Sequence, residues 1–122
     1  MRIYKDINAL PTFVNPVITI GSFDGVHAGH HTIIQTIQEK AKSIAGEAIL
    51  LTFFPHPRKI LFSDSTFKLI NTIEEKVENL ERLGLDNLVI YPFSRDFSTM
   101  SPEEYIEEVL IKKFKPKAIV IG

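Results

Sequence analysis

Three histidines lie within five positions of one short stretch, GSFDGVHAGHHTII, which spans residues 21–34 and directly follows the apolar run VITI. An imidazole ring can donate hydrogen bonds to a phosphate, bind a metal ion or transfer a proton near neutral pH. His27, His30 and His31 could therefore take part in any of these three kinds of chemistry.

The spacing of two of these histidines favours phosphate binding. His27 and His30 are three positions apart, across the predicted start of a helix near Gly29, so both can lie on one face of the opening turn. Gly25 and Gly29 allow the backbone to turn sharply or a ligand to come close. The unpaired N–H groups of the first helical turn, together with the helix dipole, add partial positive charge at the same place.

Two other interpretations of the stretch remain open. The histidines could simply cap a helix, or they could bind zinc with Asp24 and His56 as further ligands. The zinc interpretation ranks below the others because two histidines three apart do not match the usual i, i+4 helical pair. His31 lies about 100° around the helix from His30, and we expect it to be exposed and without a functional role.

The composition indicates one globular domain, residues 1–122, with 44% hydrophobic residues. Its 14 basic and 15 acidic side chains nearly balance, which argues against bulk electrostatic binding to nucleic acid or membrane. There is no cysteine, so disulfides and thiolate metal sites are excluded. No signal peptide or membrane-length apolar run is present, and the cytoplasm is the expected location.

Four apolar runs rich in valine and isoleucine predict strands that are covered on both faces, as in parallel sheets. They span residues 17–20, 48–54, 88–91 and 118–121. Apolar stripes at helical spacing predict helices over 30–45, 72–83 and 102–114. This alternation predicts an α/β fold with a doubly wound, Rossmann-like parallel sheet. Residues 1–16 are expected to cross an edge of the sheet before the first of these strands.

Capping residues support two of the helices. Thr72 with Glu75 forms a capping box, and Gly84 is expected to end that helix. The last predicted helix carries Ser101, Pro102 and Glu104 at its start and Lys112 and Lys113 in its last turn.

Ligands of such sheets bind beyond the carboxyl ends of the strands. This rule directs attention to residues 21–29, 55–71 and 92–101, and to whatever follows Gly122. Because the sequence stops where a functional loop is expected, we predict that the chain is a fragment, incomplete at its C-terminus.

The stretch GSFDGVHAGH resembles the G-x-F-D-G-V-H-x-G-H signature of the prokaryotic FAD synthetase family, in the FMN adenylyltransferase module of bifunctional riboflavin kinase/FAD synthetases. Its H-x-G-H core marks a wider nucleotidyltransferase superfamily. The resemblance implies that His27 and His30 are the catalytic, phosphate-binding residues. It also implies that the nucleotide is bound by Gly21, Ser22, Phe23, Asp24 and Gly29.

A second motif, LTFFPHP at residues 51–57, is similar to the T-F-x-P-H-P motif of the same family. Its prolines stiffen the loop that follows the second predicted strand, and a βαβ crossover places that strand beside the first. The resemblance implies a flavin-binding role for this loop and for an apolar residue a few positions later. The expected flavin-binding residues are Phe53, Pro55, His56, Pro57, Leu61 and Phe62. Further along, YPFSRDFSTMSPEEYIEEVL resembles another family segment, in which Phe97 and Ser98 could border the pocket.

Other family motifs are absent from residues 1–122. The family continues after the strand AIVIG with a G-x-[DN]-F-x-F-G loop, an I-S-S-T-x-I-R motif and a riboflavin kinase barrel. We therefore expect the riboflavin kinase domain to be absent from this chain, and the chain alone to be catalytically weak or inactive.

The function implied by the resemblance is transfer of AMP from ATP to FMN, which yields FAD and pyrophosphate. Mg²⁺ is expected to arrive with ATP, with no metal ligands from the protein, and the only partners expected are the small molecules ATP and FMN. The oligomeric state is not predicted. Alternatives are another H-x-G-H nucleotidyltransferase with a different phosphorylated acceptor, a non-catalytic nucleotide-binding module, or a zinc-dependent protein.

Overall fold

The structure is a computed structural model that describes residues 1–21, 28–54, 73–92, 104 and 106–120. Five strands are present in these ranges: β1 (Arg2–Tyr4), β2 (Val17–Ile20), β3 (Ala48–Phe54), β4 (Asn87–Pro92) and β5 (Ala118–Val120). The helical elements are α1 (Ala28–Ser43), α2 (Ile73–Arg82), a π-helical segment (Ile106–Ile111) and α3 (Lys112–Phe114).

The five strands form one parallel sheet in the order β1-β4-β3-β2-β5. The chain moves from β2 outward to β3 and β4, then returns across the sheet to add β5 on the other side of β2. The four predicted strands therefore follow the Rossmann order, with the reversal of direction between β2 and β5. The prediction of an α/β, doubly wound parallel sheet is confirmed.

One face of the sheet is covered by α1 and α2. Ile34 and Ile37 of α1 and Leu80 of α2 are almost fully buried, which confirms the apolar stripes predicted for these helices. The cluster consists of Val17, Ile34, Ile37, Ala41, Ala48, Leu50, Leu80, Leu85, Leu88 and Ile90. Within β2, β3 and β4, successive residues alternate between this cluster and the opposite face, as the pleat of a strand requires.

The other face is covered by the crossover from β4 to β5 and by the N-terminal segment. Leu110 and Phe114 lie there with Phe13, whose ring stacks on that of Phe114 with 6.1 Å between centroids and makes an edge contact with Tyr4 at 5.5 Å. The cluster also contains Ile18, Ile49, Leu51 and Val89. Residues 5–16 thus help to close the second layer rather than only crossing an edge.

Three details differ from the sequence prediction. The strand β1 was not counted; it pairs with β4, with Arg2 opposite Asn87, and a three-residue segment is too short for a periodic signal. The strand β5 is not covered on both faces, since Ile119 is 40% exposed; in the described ranges it is an edge strand.

The third difference is the π-helical segment, where an α-helix was predicted. Leu110 of this segment and Phe114 of α3 are both buried and lie four positions apart. Residues at that spacing also share one face of an α-helix, so the sequence contains no signal for the wider turn.

The end of α2 is formed as predicted. Gly84 adopts a left-handed conformation with φ 83°, and the N–H groups of Gly84 and Leu85 donate to the carbonyl oxygens of Glu81 and Leu80. This is a Schellman motif, in which glycine avoids the steric penalty of its conformation. The predicted caps at Thr72, Ser101 and Pro102 lie outside the described residues. Within the ranges described, no helix is long and apolar enough to cross a membrane.

Candidate active site

The carboxyl ends of β2 and β3 lie side by side. Ile20, the last residue of β2, is in register with Leu51, and the N–H of Gly21 donates to the carbonyl oxygen of Leu51 at 3.1 Å. Because the two strands are parallel neighbours, the segments that follow them leave at the same edge of the sheet. The prediction that the second core strand lies beside the first is confirmed.

The amino end of α1 is at this same edge, because only residues 22–27 separate Gly21 from Ala28. Gly29 and His30 belong to the first turn of α1, and that turn contains no carboxylate. Lys40 and Lys42 occupy the last turn, at the opposite edge. The positive end of the helix dipole is therefore not neutralised by an acidic residue in its own first turn, which suits an anionic ligand.

A buried hydroxyl group connects β2 and β5, the neighbouring strands between which the strand order reverses. The Oγ1 of Thr19 donates to the carbonyl oxygen of Val120 at 2.8 Å, and Thr19 is fully buried. Nucleotides bind to doubly wound sheets in the crevice above such a reversal. Sequence reasoning did not single out Thr19; the available signal was one hydroxyl within the otherwise aliphatic run VITI.

The same edge of the sheet includes an aromatic residue of β4. Tyr91 is in register with Phe53 of β3 and packs, half-buried, against the cluster that contains Phe13 and Phe114. Burial raises the pKa of the Tyr91 phenol above its usual value of 10.0. Tyr91 was not among the predicted site residues, although its place at the end of the run LVIY marked it as a carboxyl-end residue.

The structure therefore brings four of the predicted site residues to one sheet edge: Gly21 after β2, Gly29 and His30 in the first turn of α1, and Phe53 in β3. His31 is exposed, as expected. The remaining predicted site residues lie outside the described residues. They are Ser22, Phe23, Asp24, His27, Pro55, His56, Pro57, Leu61 and Phe62.

Asp24 and His56, the further ligands of the zinc interpretation, are among the residues that the structure does not describe. In the described ranges, no three His, Cys, Asp or Glu side chains form a group that could hold a metal ion.

Comparison with known proteins identifies relatives along nearly the whole chain. The family model for FAD synthetase matches residues 11–122. A bifunctional riboflavin kinase/FMN adenylyltransferase from Buchnera aphidicola subsp. Schizaphis graminum is 32% identical over 123 residues, covering 100% of this chain and 39% of the relative. The protein of the same name from Bacillus subtilis (strain 168) is 35% identical over 96 residues, covering 78% of this chain and 30% of the relative.

The chain thus spans between 30% and 39% of the length of these curated relatives. Among solved structures, a chain described as the macrolide-efflux protein from Streptococcus pneumoniae superposes with a TM-score of 0.79 at 25% identity. That likeness covers 98% of this chain and 40% of the other, and it supports the fold described above. The family match over residues 11–122 shows that this chain belongs to the FAD synthetase family.

Proposed function

We propose that residues 1–122 belong to an FMN adenylyltransferase domain, which transfers AMP from ATP to FMN and releases FAD and pyrophosphate in the cytoplasm. The observation that carries this proposal is the FAD synthetase match over residues 11–122. The names of the relatives add a riboflavin kinase activity, which we assign to the full-length protein outside this chain.

The phosphates of ATP are proposed to bind at the amino end of α1, next to the reversal of strand order. His27 and His30 donate hydrogen bonds to them, and the N–H groups of the first helical turn add partial positive charge. The position of Gly21 at the end of β2, and the absence of a carboxylate from the first turn of α1, support this assignment. The nucleotide-binding set is Gly21, Ser22, Phe23, Asp24 and Gly29.

The flavin is proposed to bind beside the nucleotide, beyond the end of β3. Because β3 lies between β2 and β4, a ligand there is one strand away from the ATP site. The half-buried ring of Tyr91, in register with Phe53, supports an aromatic ligand at this edge. The flavin-binding set is Phe53, Pro55, His56, Pro57, Leu61 and Phe62.

The reaction places two polyanions in contact. A phosphate oxygen of FMN attacks the α-phosphorus of ATP, a new P–O bond forms, and the bond to the β-phosphate oxygen breaks as pyrophosphate leaves. A phosphate monoester has a second pKa of about 6, so the nucleophile is already ionised at neutral pH and no protein base is required. The protein therefore contributes positioning and stabilisation of negative charge.

The divalent cation in this proposal is Mg²⁺ bound to ATP. Mg²⁺ keeps several water ligands, prefers phosphate oxygens and neutralises part of their charge. No protein ligand is assigned to it.

The direct test is incubation of the full-length protein with ATP and FMN, with FAD and pyrophosphate measured by chromatography and an enzyme-coupled assay. FAD formation supports the proposal. Transfer to pantetheine phosphate instead of FMN would favour a different acceptor, and bound nucleotide without pyrophosphate release would favour a non-catalytic module. Stoichiometric zinc in tag-free protein would favour the zinc interpretation.

Two variants test the histidine roles. His27→Ala and His30→Ala should each lower kcat about 100-fold or more, the usual effect of removing one donor to developing phosphoryl charge. His31→Ala is the matched control, since His31 is exposed on α1, and it should retain normal turnover. Normal turnover in His27→Ala or His30→Ala would remove the proposed role of that residue.

A further inference from the structure

A cavity at the amino edge of the sheet, the amino-edge cavity, is lined by lysines. It has a volume of about 520 Å³ and lies between residues 10–16 and residues 112–117. Pro16 directly precedes β2 and Lys117 directly precedes β5. Because β2 and β5 are parallel neighbours, the cavity lies at the edge opposite to Gly21 and the first turn of α1. The length of β2 therefore separates it from the proposed ATP site.

The charged side chains of this lining all have the same sign. Among the described residues that line the amino-edge cavity, four are lysines and none is an aspartate or a glutamate. The chain as a whole is different, since its 14 basic and 15 acidic side chains nearly balance. Lys112 pairs with Glu108 at 2.9 Å, so its charge is already matched. The other lysines of the lining are Lys113, Lys115 and Lys117.

These three lysines keep hydrogen-bond donors that a ligand could use. The Nζ of Lys113 donates to the Oδ1 of Asn8 at 3.1 Å, which is a neutral acceptor and uses one of the three donors of an ammonium group. Lys115 and Lys117 are exposed, and their side chains form no hydrogen bond or ion pair with the part of the chain that the structure describes. An anion in the cavity would therefore meet several cations at once.

The backbone of Lys115 supports a functional role for its side chain. Lys115 has a left-handed conformation, with φ 49° and ψ 55°, at the C-cap of α3. Glycine is the usual residue in this conformation at a helix end, because a Cβ atom is strained there. Gly84 occupies the comparable turn after α2, with φ 83°. Strained residues of this kind are concentrated at functional sites, so the lysine at position 115 indicates that a side chain is needed there.

The two walls of the amino-edge cavity are fixed to each other. The N–H of Lys117 donates to the carbonyl oxygen of Pro16 at 2.8 Å. Phe13 and Phe114, which also line the cavity, are buried and stack with 6.1 Å between ring centroids. A site that is already formed binds its ligand at a lower entropic cost than a site that must first be assembled.

We propose that the amino-edge cavity binds an anion with two or more linked phosphate groups, and that Lys113, Lys115 and Lys117 bind these phosphates. Several ammonium groups at one place match a ligand that carries several negative charges. Small-molecule sites typically have volumes of roughly 300–1,000 Å³, and the amino-edge cavity falls within this range. The inference goes beyond the proposed function and does not depend on it, because the cavity and the proposed active site lie at opposite edges of the sheet.

The experiment measures hydrogen exchange of the full-length protein by mass spectrometry, with and without tripolyphosphate. Tripolyphosphate should slow the exchange of peptides that cover residues 8–17 and 111–118, and a titration followed in these peptides gives its Kd. High salt should weaken the effect, because exposed charges are screened. Titration with ATP distinguishes the two sources of linked phosphates: tighter binding of ATP identifies a nucleotide, and binding of tripolyphosphate that is equal or tighter identifies a free polyphosphate. Inorganic phosphate should bind about tenfold more weakly or worse, since it has fewer charges.

The variant Lys115→Gly separates binding from stability. Glycine removes the ammonium group and also the strain of the left-handed conformation, so the variant should be at least as stable as wild type in urea unfolding. Its Kd for tripolyphosphate should nevertheless rise about fivefold, as expected for the loss of one exposed charge at contact distance. Lys117→Met should have a similar effect, and Lys117→Arg should bind normally. The matched control is Lys40→Met, which removes an exposed charge from α1 on the other face of the sheet and should not change the Kd.

Slower exchange of the two groups of peptides, with weaker binding by Lys115→Gly and Lys117→Met and normal binding by Lys40→Met, supports the inference. Unchanged exchange with both tripolyphosphate and ATP overturns it. A Kd within twofold of wild type in both neutral variants also overturns it, as does equal weakening by Lys40→Met or equal binding of inorganic phosphate. FAD formation is measured separately, and its absence would refute the proposed function but not this site.

Discussion

Substitution of Gly46 by alanine tests how the turn after α1 is fixed against the segment that precedes β2. A Cβ atom at position 46 would lie 2.1 Å from the carbonyl oxygen of Asn15 and 3.1 Å from its carbonyl carbon. Both are backbone atoms, so the contact cannot be relieved by rotation of a side chain. The chain must move by about an ångström or more to reach ordinary contact distance.

The movement breaks hydrogen bonds whose partners are known. The N–H of Glu47 donates to the carbonyl oxygen of Val14 at 3.0 Å, and the Nδ2 of Asn15 donates to the carbonyl oxygen of Ile44 at 2.9 Å. Each such bond contributes about 1 kcal/mol, and overpacking typically adds about 1–3 kcal/mol. We therefore expect Gly46→Ala to lower the free energy of unfolding by about 3–5 kcal/mol.

Hydrogen exchange of the full-length protein, measured by mass spectrometry, gives the local free energy of unfolding for peptides that cover β2 and β3. Gly84→Ala is the matched control, because its added Cβ meets only the Nε2 of Gln38, at 3.5 Å, and its cost comes from the φ of 83° alone, about 1–2 kcal/mol. If Gly46→Ala were stabilising, as expected when glycine is replaced at an unstrained position, the steric reasoning would be refuted.

Three further predictions concern the core and the sheet edge. Leu80→Ala should lower the free energy of unfolding by about 2–5 kcal/mol in urea denaturation, because Leu80 is buried between α2 and the sheet; a loss under 1 kcal/mol would contradict that packing. Thr19→Val should lower the free energy of unfolding by about 1 kcal/mol, because the hydrogen bond to Val120 is lost. Hydrogen exchange of the β5 amides should become faster, and unchanged exchange would show that this bond does not hold β5 in place. The raised pKa of the Tyr91 phenol means that the folded state retains this proton more tightly than the unfolded state. The free energy of unfolding should therefore fall as pH rises above about 10. Tyr91→Phe should make this fall smaller, as measured by the midpoints of urea unfolding between about pH 8 and 11.

The buried strands could be predicted closely from the sequence. The bounds of β2 and β3 agree with the runs VITI and AILLTFF, because a strand covered on both faces needs an uninterrupted apolar run. The edge strands were harder. The three residues of β1 form a strand because they pair with β4. So short a segment contains no pattern that would indicate a partner far away in the sequence.

The candidate site could be placed but not detailed from the sequence. The glycines and histidines after β2 indicated a ligand-binding turn, and the structure puts Gly21 and the first turn of α1 at the expected edge. Thr19 was missed because it occupies a position that the pattern assigns to the core. Its hydroxyl group becomes informative only when the neighbouring strand β5 is known, since Val120 accepts its hydrogen bond.

The pairing of β1 with β4 also constrains how the protein folds during translation. Arg2 leaves the ribosome early, but its partner Asn87 is added much later; at about 5–20 residues per second the wait is on the order of several seconds. The hydrogen bonds from Lys113 to Asn8 and from Thr19 to Val120, separated by 105 and 101 positions, form later still. During synthesis β1 therefore stays without its partner strand until residues 87–89 of β4 have been added.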